Sequence, residues 1–144
     1  MSLLTNKKAH YDYQILSKIE AGVVLSGAEV KSLRQKSGSL TGSFVQIIDG
    51  EPVLLNAQIS PYQFADNRDY DPKRTRKLLL KKSQIYDLVD KVNQKGYTLV
   101  PLDFHLSKKK VKLTIGLGKG KKQFEKRAKI RERDLLRESQ RQGY

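Results

Sequence analysis

The sequence has no cysteine and only two histidines among its 144 residues. The lack of cysteine excludes disulfides, thiolate catalysis and cysteine metal sites. The opening stretch, MSLLTNKKAH, is too polar for a signal peptide, and no run approaches the roughly 18 apolar residues that a membrane helix needs. We therefore expect a cytoplasmic protein that has no membrane contact, no metal and no cofactor.

Acidic residues are also scarce relative to basic ones. The chain has 29 Lys or Arg against 15 Asp or Glu, a net charge of +14. An excess of this size indicates an anionic partner, most often nucleic acid. The alternative is charge that only keeps the protein soluble, but the basic residues are clustered, which favours nucleic acid. The length predicts one folded domain, and we expect it to be monomeric.

Two segments near the end of the domain alternate between apolar and polar residues. Val111 to Leu117 alternates without interruption, and Val100 to Leu106 does the same. This period of two is typical of half-buried strands, and Ser107 to Lys110 can form the turn of a hairpin between them. Pro101 lacks an N–H group, so it should lie at a sheet edge or a bulge.

A second hairpin is predicted by the dipeptide Asp49-Gly50, which favours a turn whose twist suits paired strands. Ser43 to Ile48 would enter this turn, and Val53 to Ile59 would leave it. A further strand region lies at Tyr11 to Leu25, where Gly22 is expected to mark a bend between two strands.

Two helices are predicted. In the longer one, Ser83 is the candidate N-cap and Gly96 the candidate terminator. Its apolar face consists of Ile85, Leu88, Val89 and Val92. A shorter helix is predicted at Ala28 to Arg34, with Val30 and Leu33 inward. About six short strands with two or three flanking helices predict a mainly β fold, a small antiparallel OB-like barrel, which commonly binds oligonucleotides.

The chain after the last predicted strand is strongly basic. Residues 118–144 contain ten Lys or Arg and four Asp or Glu, a net charge of +6. They lack an apolar stripe broad enough to bury, yet they contain no proline and many good helix formers. We expect a barrel domain at residues 1–117 and a flexible tail at 118–144 that becomes helical when bound. GLGKGKK, Gly116 to Lys122, would be the flexible exit, with glycines supplying freedom.

The densest basic segment within the domain is DPKRTRKLLLKK, Asp71 to Lys82. Pro72 could start a helical turn that places Arg74 and Lys77 on one face, anchored by Leu78 to Leu80. The planar guanidinium of arginine matches phosphate oxygens or a guanine edge. RNA contact is the favoured interpretation, and a solvated loop is the alternative.

Three aromatic residues precede this segment in the predicted loop, namely Tyr62, Phe64 and Tyr70. They could stack on unpaired bases or cover one end of the barrel. Two carboxylates, Glu20 and Glu29, stand in a basic first third of the chain. They could accept hydrogen bonds from bases or pair with Lys31 or Arg34, and from the residues alone the ion-pair interpretation is favoured.

Enzyme chemistry has little support. His105 and Asp103 share the polar face of a predicted strand, but they have no placed nucleophile and too few partners for a zinc site. A surface pair is the favoured interpretation.

Several runs of the sequence together resemble the SmpB family, the protein partners of transfer-messenger RNA (tmRNA) in bacterial trans-translation. The matching runs are NKKAHYDYQI, EAGVVLSGAEVKSLR, DGEPVLLNAQISPY, DPKRTRKLLL, KGYTLVPL and GKGKKQFEKR. They cover most of residues 6–127 in the family's order. The resemblance implies an OB-like barrel with helices that is not an enzyme, binds the tRNA-like domain of tmRNA, and inserts its tail into the empty mRNA channel of a stalled ribosome, at the small-subunit decoding centre.

By motif, the resemblance implies that Asn6, Glu20 and Leu79 are needed for RNA binding. With the basic clusters, the candidate RNA-binding residues are Asn6, Lys7, Lys8, Glu20, Lys31, Arg34, Lys73, Arg74, Arg76, Lys77 and Leu79. The candidate ribosome-binding residues of the tail are Lys119, Lys121, Lys122, Lys126, Arg127, Lys129, Arg131 and Arg133. Glu125 departs from the family's usual Asp, and the tail is rather short. The other functions considered are a basic ribosomal protein and an RNA-processing enzyme.

Overall fold

The computed structural model describes residues 2–120. Over this range the chain forms three helices and nine strands. The helices are α1 (Lys7–Asp12), α2 (Gly27–Arg34) and α3 (Lys82–Lys95). The strands are β1 (Ser2–Thr5), β2 (Tyr13–Val23), β3 (Gly38–Ser39), β4 (Phe44–Ile48), β5 (Glu51–Leu55), β6 (Gln58–Ile59), β7 (Arg76–Leu79), β8 (Thr98–Ser107) and β9 (Lys110–Gly120).

Seven strands form one antiparallel sheet in the order β1-β8-β9-β2-β7-β5-β4, and β3 pairs with β6 separately. The sheet curls so that its edge strand β4 lies against β8. The expected mainly β, OB-like fold with flanking helices is therefore confirmed, but the described sheet stays open between its edge strands and is not a closed barrel. The extra strands β1, β3 and β6 are two to four residues long, too short to show an alternating pattern.

Both predicted hairpins are present. The turn between β4 and β5 is Asp49-Gly50, whose φ angles of 51° and 79° are those of the turn expected for this dipeptide. β8 and β9 pair from Thr98 to Ser107, and the register shifts between Pro101 and Asp103. Pro101 thus lies at a bulge, as its missing N–H group predicts.

Two strand glycines, Gly22 and Gly116, allow close packing, which corrects their predicted roles. β2 is continuous through Gly22, which pairs with Lys112 of β9 on one side and with Leu79 of β7 on the other, and a Cβ atom there would lie 3.1 Å from Cβ of Leu79. β9 continues past Leu117 to Gly120, still paired with β2. A Cβ atom at Gly116 would lie 2.9 Å from Cδ1 of Leu102, so this glycine admits a neighbouring side chain and does not loosen the chain.

The two predicted helices form, with one corrected cap. α3 begins one residue earlier than Ser83, which lies in its first turn, and the Gln84 side chain accepts the Lys81 N–H group at 3.0 Å. Gly96 ends α3 in the left-handed conformation at φ 66°, as predicted. α2 begins after Ser26, whose hydroxyl accepts the Glu29 N–H group while the Glu29 carboxylate accepts the Ser26 N–H group.

The core lies between the inner face of the curled sheet and the apolar faces of α2 and α3. Phe104 and Leu113 from the β8–β9 hairpin meet Leu54 from β5 and Leu33 from α2, all with no exposed surface. Leu88 brings α3 into the same cluster. On the outer face of the sheet, Ala9 of α1 packs with Val100 and Leu102 of β8 in a second apolar cluster, and other positions of that face present polar side chains.

Candidate nucleic-acid interface

A buried ionic cluster joins α2 to the segment before β7. Glu29 is 1% exposed, and its Oε2 accepts hydrogen bonds from Nε and Nη2 of Arg76 at 2.9 and 2.7 Å. Arg74 donates to both oxygens of the same carboxylate. The Tyr70 hydroxyl lies 3.1 Å from Oε2 of Glu29. Burial raises the pKa of Glu29, but hydrogen bonds from Arg74, the Ser26 N–H group and Arg76 outweigh it and hold the pKa at about 2.

The remaining donors of Arg76 bind backbone carbonyls. Nη1 donates to the carbonyl oxygens of Ala57 and Arg74 at 2.7 and 3.0 Å, and Nη2 donates to that of Pro72 at 3.0 Å. A buried guanidinium is tolerated only when its charge and its N–H groups are satisfied, and here they are. The cluster therefore fixes the loop that carries the exposed Lys73.

The structure corrects the interpretation of the segment Asp71 to Lys82. Residues 76–79 form a strand, so Arg76 and Leu78 point inward while Lys77 and Leu79 point outward. Arg76 has no exposed surface, so the predicted direct RNA contact by this side chain is wrong. The ion-pair interpretation of Glu29 is confirmed, but its partners are Arg74 and Arg76.

A second polar network lies on the outer face of the sheet. His105 Nε2 is 3.0 Å from Oε2 of Glu20, and its Nδ1 is 2.9 Å from Oδ1 of Asp103. Thr114 donates to the same Asp103 oxygen at 2.9 Å. Partial burial lowers the pKa of His105, but the hydrogen bonds and charges of Glu20 and Asp103 outweigh burial and raise the pKa above its ordinary 6.5. The predicted His105–Asp103 pair is present, and Glu20 joins it.

The strand register places Leu79 on the same face as this network. Gly22 pairs with Leu79 on one side and with Lys112 on the other, and Lys112 pairs with His105. Directly paired residues point to the same side of a sheet. The Leu79 side chain stays 61% exposed. The face formed by β2, β7, β8 and β9 therefore brings together Glu20 and Leu79, two of the three positions that the resemblance implies.

The third such position, Asn6, lies elsewhere and is 4% exposed. Its Nδ2 donates to the Pro101 carbonyl oxygen at 2.9 Å, and its Oδ1 caps α1 by accepting the Ala9 N–H group at 3.3 Å. Asn6 thus anchors α1 against β8. This helix presents the exposed Lys7 and Lys8.

The three loop aromatics have separate roles. The Tyr70 hydroxyl lies 2.7 Å from the Ile59 carbonyl oxygen and belongs to the buried cluster. The rings of Tyr62 and Phe64 meet edge to face at 5.5 Å, and Lys31 Nζ lies 5.7 Å from the centroid of Tyr62. Phe64 is 76% exposed, so its stacking on a base stays a prediction.

The remaining candidates divide into exposed cations and tail residues. The exposed cations are Lys7, Lys8, Lys31, Arg34, Lys73, Lys77 and Lys119. Arg74 is 36% exposed at its side chain and is engaged by Glu29. The tail candidates Lys121, Lys122, Lys126, Arg127, Lys129, Arg131 and Arg133 lie outside the described residues. No helix within residues 2–120 is long and apolar enough to cross a bilayer.

The sequence did not identify Thr114, which donates a hydrogen bond to Asp103, or Lys112, which lies opposite His105 on β9, as parts of this polar face. The alternation of Val111 to Leu117 already placed both on the polar side of their strand. Their neighbours depend on the pairing of β9 with β2 and β8, which no local pattern shows.

Comparison with known proteins identifies the family. The family model "SmpB protein" matches residues 3–143. The SsrA-binding protein of Sulfurihydrogenibium sp. is 52% identical over 134 residues, covering 93% of this chain and 88% of the relative. That of Cupriavidus pinatubonensis is 49% identical over 142 residues, covering 98% and 95%. A chain of the solved structure described as "tmRNA-SmpB: a journey to the center of the bacterial ribosome" is 44% identical, with a TM-score of 0.69 and coverage of 93% of this chain and 94% of that one. The chain therefore belongs to the SmpB family.

Proposed function

We propose that this protein is a non-catalytic adaptor that binds the tRNA-like domain of tmRNA and delivers it to stalled ribosomes in the cytoplasm. The observation that carries the proposal is the similarity, over nearly the whole chain, to proteins named SsrA-binding protein. The related solved structure is of tmRNA and SmpB in the context of the ribosome. An adaptor of this kind needs placed contacts and positive charge, and it needs no catalytic group.

The geometry supports RNA binding by the outer sheet face. Glu20 can accept hydrogen bonds from base amino groups or ribose hydroxyls, and the exposed Leu79 offers an apolar contact beside it. The exposed cations of α1, α2 and the segment before β7 would neutralise phosphates and set the orientation of the RNA. Arg76 contributes indirectly, by fixing the loop that carries Lys73.

The tail would make the ribosomal contacts. Lys119 is exposed at the end of β9, and the cations that follow it in sequence continue the basic run. We propose that these residues occupy the vacant mRNA channel near the decoding centre of the small subunit, where rRNA phosphates would neutralise them.

Sequencing the RNA that co-purifies with the tagged protein tests the proposal. We expect tmRNA to be enriched above all other RNAs, because the adaptor binds it specifically. Stoichiometric recovery with ribosomes from unstressed cells, without enrichment of tmRNA, would instead identify a ribosomal protein and would contradict the proposal.

A further inference from the structure

His105 lies between two carboxylates on the proposed RNA-binding face. Its Nε2 faces Glu20 at 3.0 Å, and its Nδ1 faces Asp103 at 2.9 Å. An ionised carboxylate only accepts hydrogen bonds, so both ring nitrogens must donate, and only the imidazolium carries two N–H groups. The geometry therefore selects the charged form of His105, and its raised pKa agrees with this assignment.

The hydrogen bond from His105 holds the Glu20 side chain in one orientation. The Glu20 side chain is 49% exposed, whereas that of His105 is 19% exposed. Asp103 holds the ring from the opposite side, and Thr114 holds Asp103 with a hydrogen bond of 2.9 Å. A half-exposed glutamate without such a partner would sample several rotamers, and a contact to RNA would have to select one of them.

The hydrogen bonds of His105 to Glu20 and Asp103 also affect the local charge of the proposed RNA-binding face. One imidazolium between two carboxylates leaves a local charge of about −1, whereas a neutral imidazole leaves about −2. The other charged group directly opposite His105 is Lys112, its partner on β9. Lys18 lies two residues before Glu20 on β2, and Lys110 lies two residues before Lys112 on β9. The residue of β1 paired with His105 is Ser2, which is uncharged.

Resting on the proposed RNA-binding function, we propose that His105 is a positioning residue for RNA recognition, acting through Glu20. Protonated His105 orients the Glu20 carboxylate for hydrogen bonds with RNA and limits its repulsion of phosphates. RNA affinity should therefore be highest at low pH and fall as the pH rises through the pKa of His105. Below this pKa, His105 holds the Glu20 carboxylate in the orientation that binds RNA. Above it, the neutral ring no longer holds Glu20 in that orientation.

The test measures the dissociation constant of the full-length protein for a transcribed tRNA-like domain of tmRNA between about pH 5.5 and 8.5, which brackets the ordinary histidine pKa of about 6.5. We expect wild-type affinity to weaken about tenfold with rising pH, the size expected when one charged hydrogen bond is lost. H105Q should bind about tenfold more weakly at the acidic end and show a flat profile.

Four further variants, H10Q, D103N, E20Q and E20Q/H105Q, assign the effect. His10 is the only other histidine, so H10Q is the matched control and should keep the pH dependence. D103N removes one carboxylate but leaves the imidazole, so it should move the midpoint to lower pH. In the E20Q background, H105Q should cause no additional loss, because His105 acts through Glu20. The thermal midpoint of each variant checks folding, and D103N tests the mechanism even where H105Q folds poorly.

The outcomes separate this inference from the proposed function. If E20Q weakens binding while H105Q keeps both affinity and pH profile, His105 has no positioning role, and RNA binding by this face stands. Additive losses for H105Q and E20Q would also overturn the inference. If E20Q binds as tightly as wild type, Glu20 is not an RNA contact and the inference fails with it. If the wild-type protein does not bind the tRNA-like RNA at any pH, the proposed function itself is wrong.

Discussion

Glu29 and Arg76 form an ion pair that has almost no contact with solvent: their side chains are 1% and 0% exposed, with Nη2 of Arg76 2.7 Å from Oε2 of Glu29. The pair joins α2 to β7. Arg76 also donates hydrogen bonds to the carbonyl oxygens of Ala57 and Pro72. Two elements that carry candidate RNA-binding cations are thus held in one arrangement. The cost of removing both charges from water makes this pair sensitive to the loss of either member.

Replacing Glu29 with Gln should destabilise the fold strongly. It would leave the buried Arg76 charge without its counter-ion, which typically costs about 3–5 kcal/mol. Chemical denaturation of wild type and E29Q would measure the loss as a change in the free energy of unfolding. D66N is the matched control, because Asp66 and Arg68 form an ion pair that is 62% and 87% exposed at its side chains. D66N should leave the stability unchanged, and an E29Q protein equally unaffected would show that the cluster is not stabilising.

Stability should fall in acid because of the same carboxylate. The pKa of Glu29 is lowered in the folded protein from 4.5 to about 2. A lowered pKa stabilises the fold above the unfolded-state value, and this contribution of about 3 kcal/mol is lost as the pH falls from about 4.5 towards 2. Thermal denaturation at several pH values would show the loss. The E29Q variant should lose less stability over the same window, and identical slopes in the two proteins would contradict the assignment.

Leu79 should matter for RNA recognition and not for folding. Its side chain is 61% exposed on the proposed binding face, so L79S removes little buried surface and should leave the thermal midpoint nearly unchanged. The variant should bind the tRNA-like RNA about tenfold more weakly, through the loss of a placed apolar contact, while binding to a random single strand is less affected. I48S is the control, because Ile48 is a 48% exposed residue of β4, outside that face. Equal losses for L79S and I48S would contradict a specific role of Leu79.

RNA affinity should depend steeply on salt. The exposed cations lie in separate clusters on α1, α2 and the segment before β7, and the basic tail adds more. Neutralising about 6–10 phosphates would weaken binding roughly 10³–10⁵-fold between about 50 and 200 mM salt. Binding isotherms at several salt concentrations would give the slope directly. A slope near zero would mean that phosphate contacts contribute little to binding.

Deleting residues 121–144 should separate RNA binding from ribosome function. Residues within 2–120 already form the core and the two polar networks described above, so we expect the thermal midpoint to stay nearly unchanged. Much of the specific affinity for the tRNA-like RNA should remain, because the proposed specific contacts precede the deletion. A reconstituted tagging assay on stalled ribosomes should show no tagging, because nothing would occupy the mRNA channel. Full tagging by the truncated protein would refute this division of roles between the folded domain and the tail.

Local sequence patterns by themselves determined the strands and turns that depend on near neighbours. The alternation of Val111 to Leu117 indicated a half-buried strand, and Asp49-Gly50 indicated its turn, because side-chain direction and turn conformation are set over a few residues. Pro101 indicated its bulge because a missing N–H group is a local property. The net charge of +14 also indicated an anionic partner, because the net charge is the sum over all residues and does not depend on the fold.

Only the tertiary structure decided which charged residues are buried, paired or free. Arg74, Arg76 and Lys77 stand together in one basic run, yet Arg76 is buried against Glu29, 47 positions earlier in the chain, while Lys77 is exposed. Glu20 and His105 are 85 positions apart in the chain. Their side chains meet because β2 and β8 both pair with β9, which brings the two residues to the same face of the sheet. Such contacts follow from strand order and register, and these are selected by the packing of the whole core, which no short stretch of sequence contains.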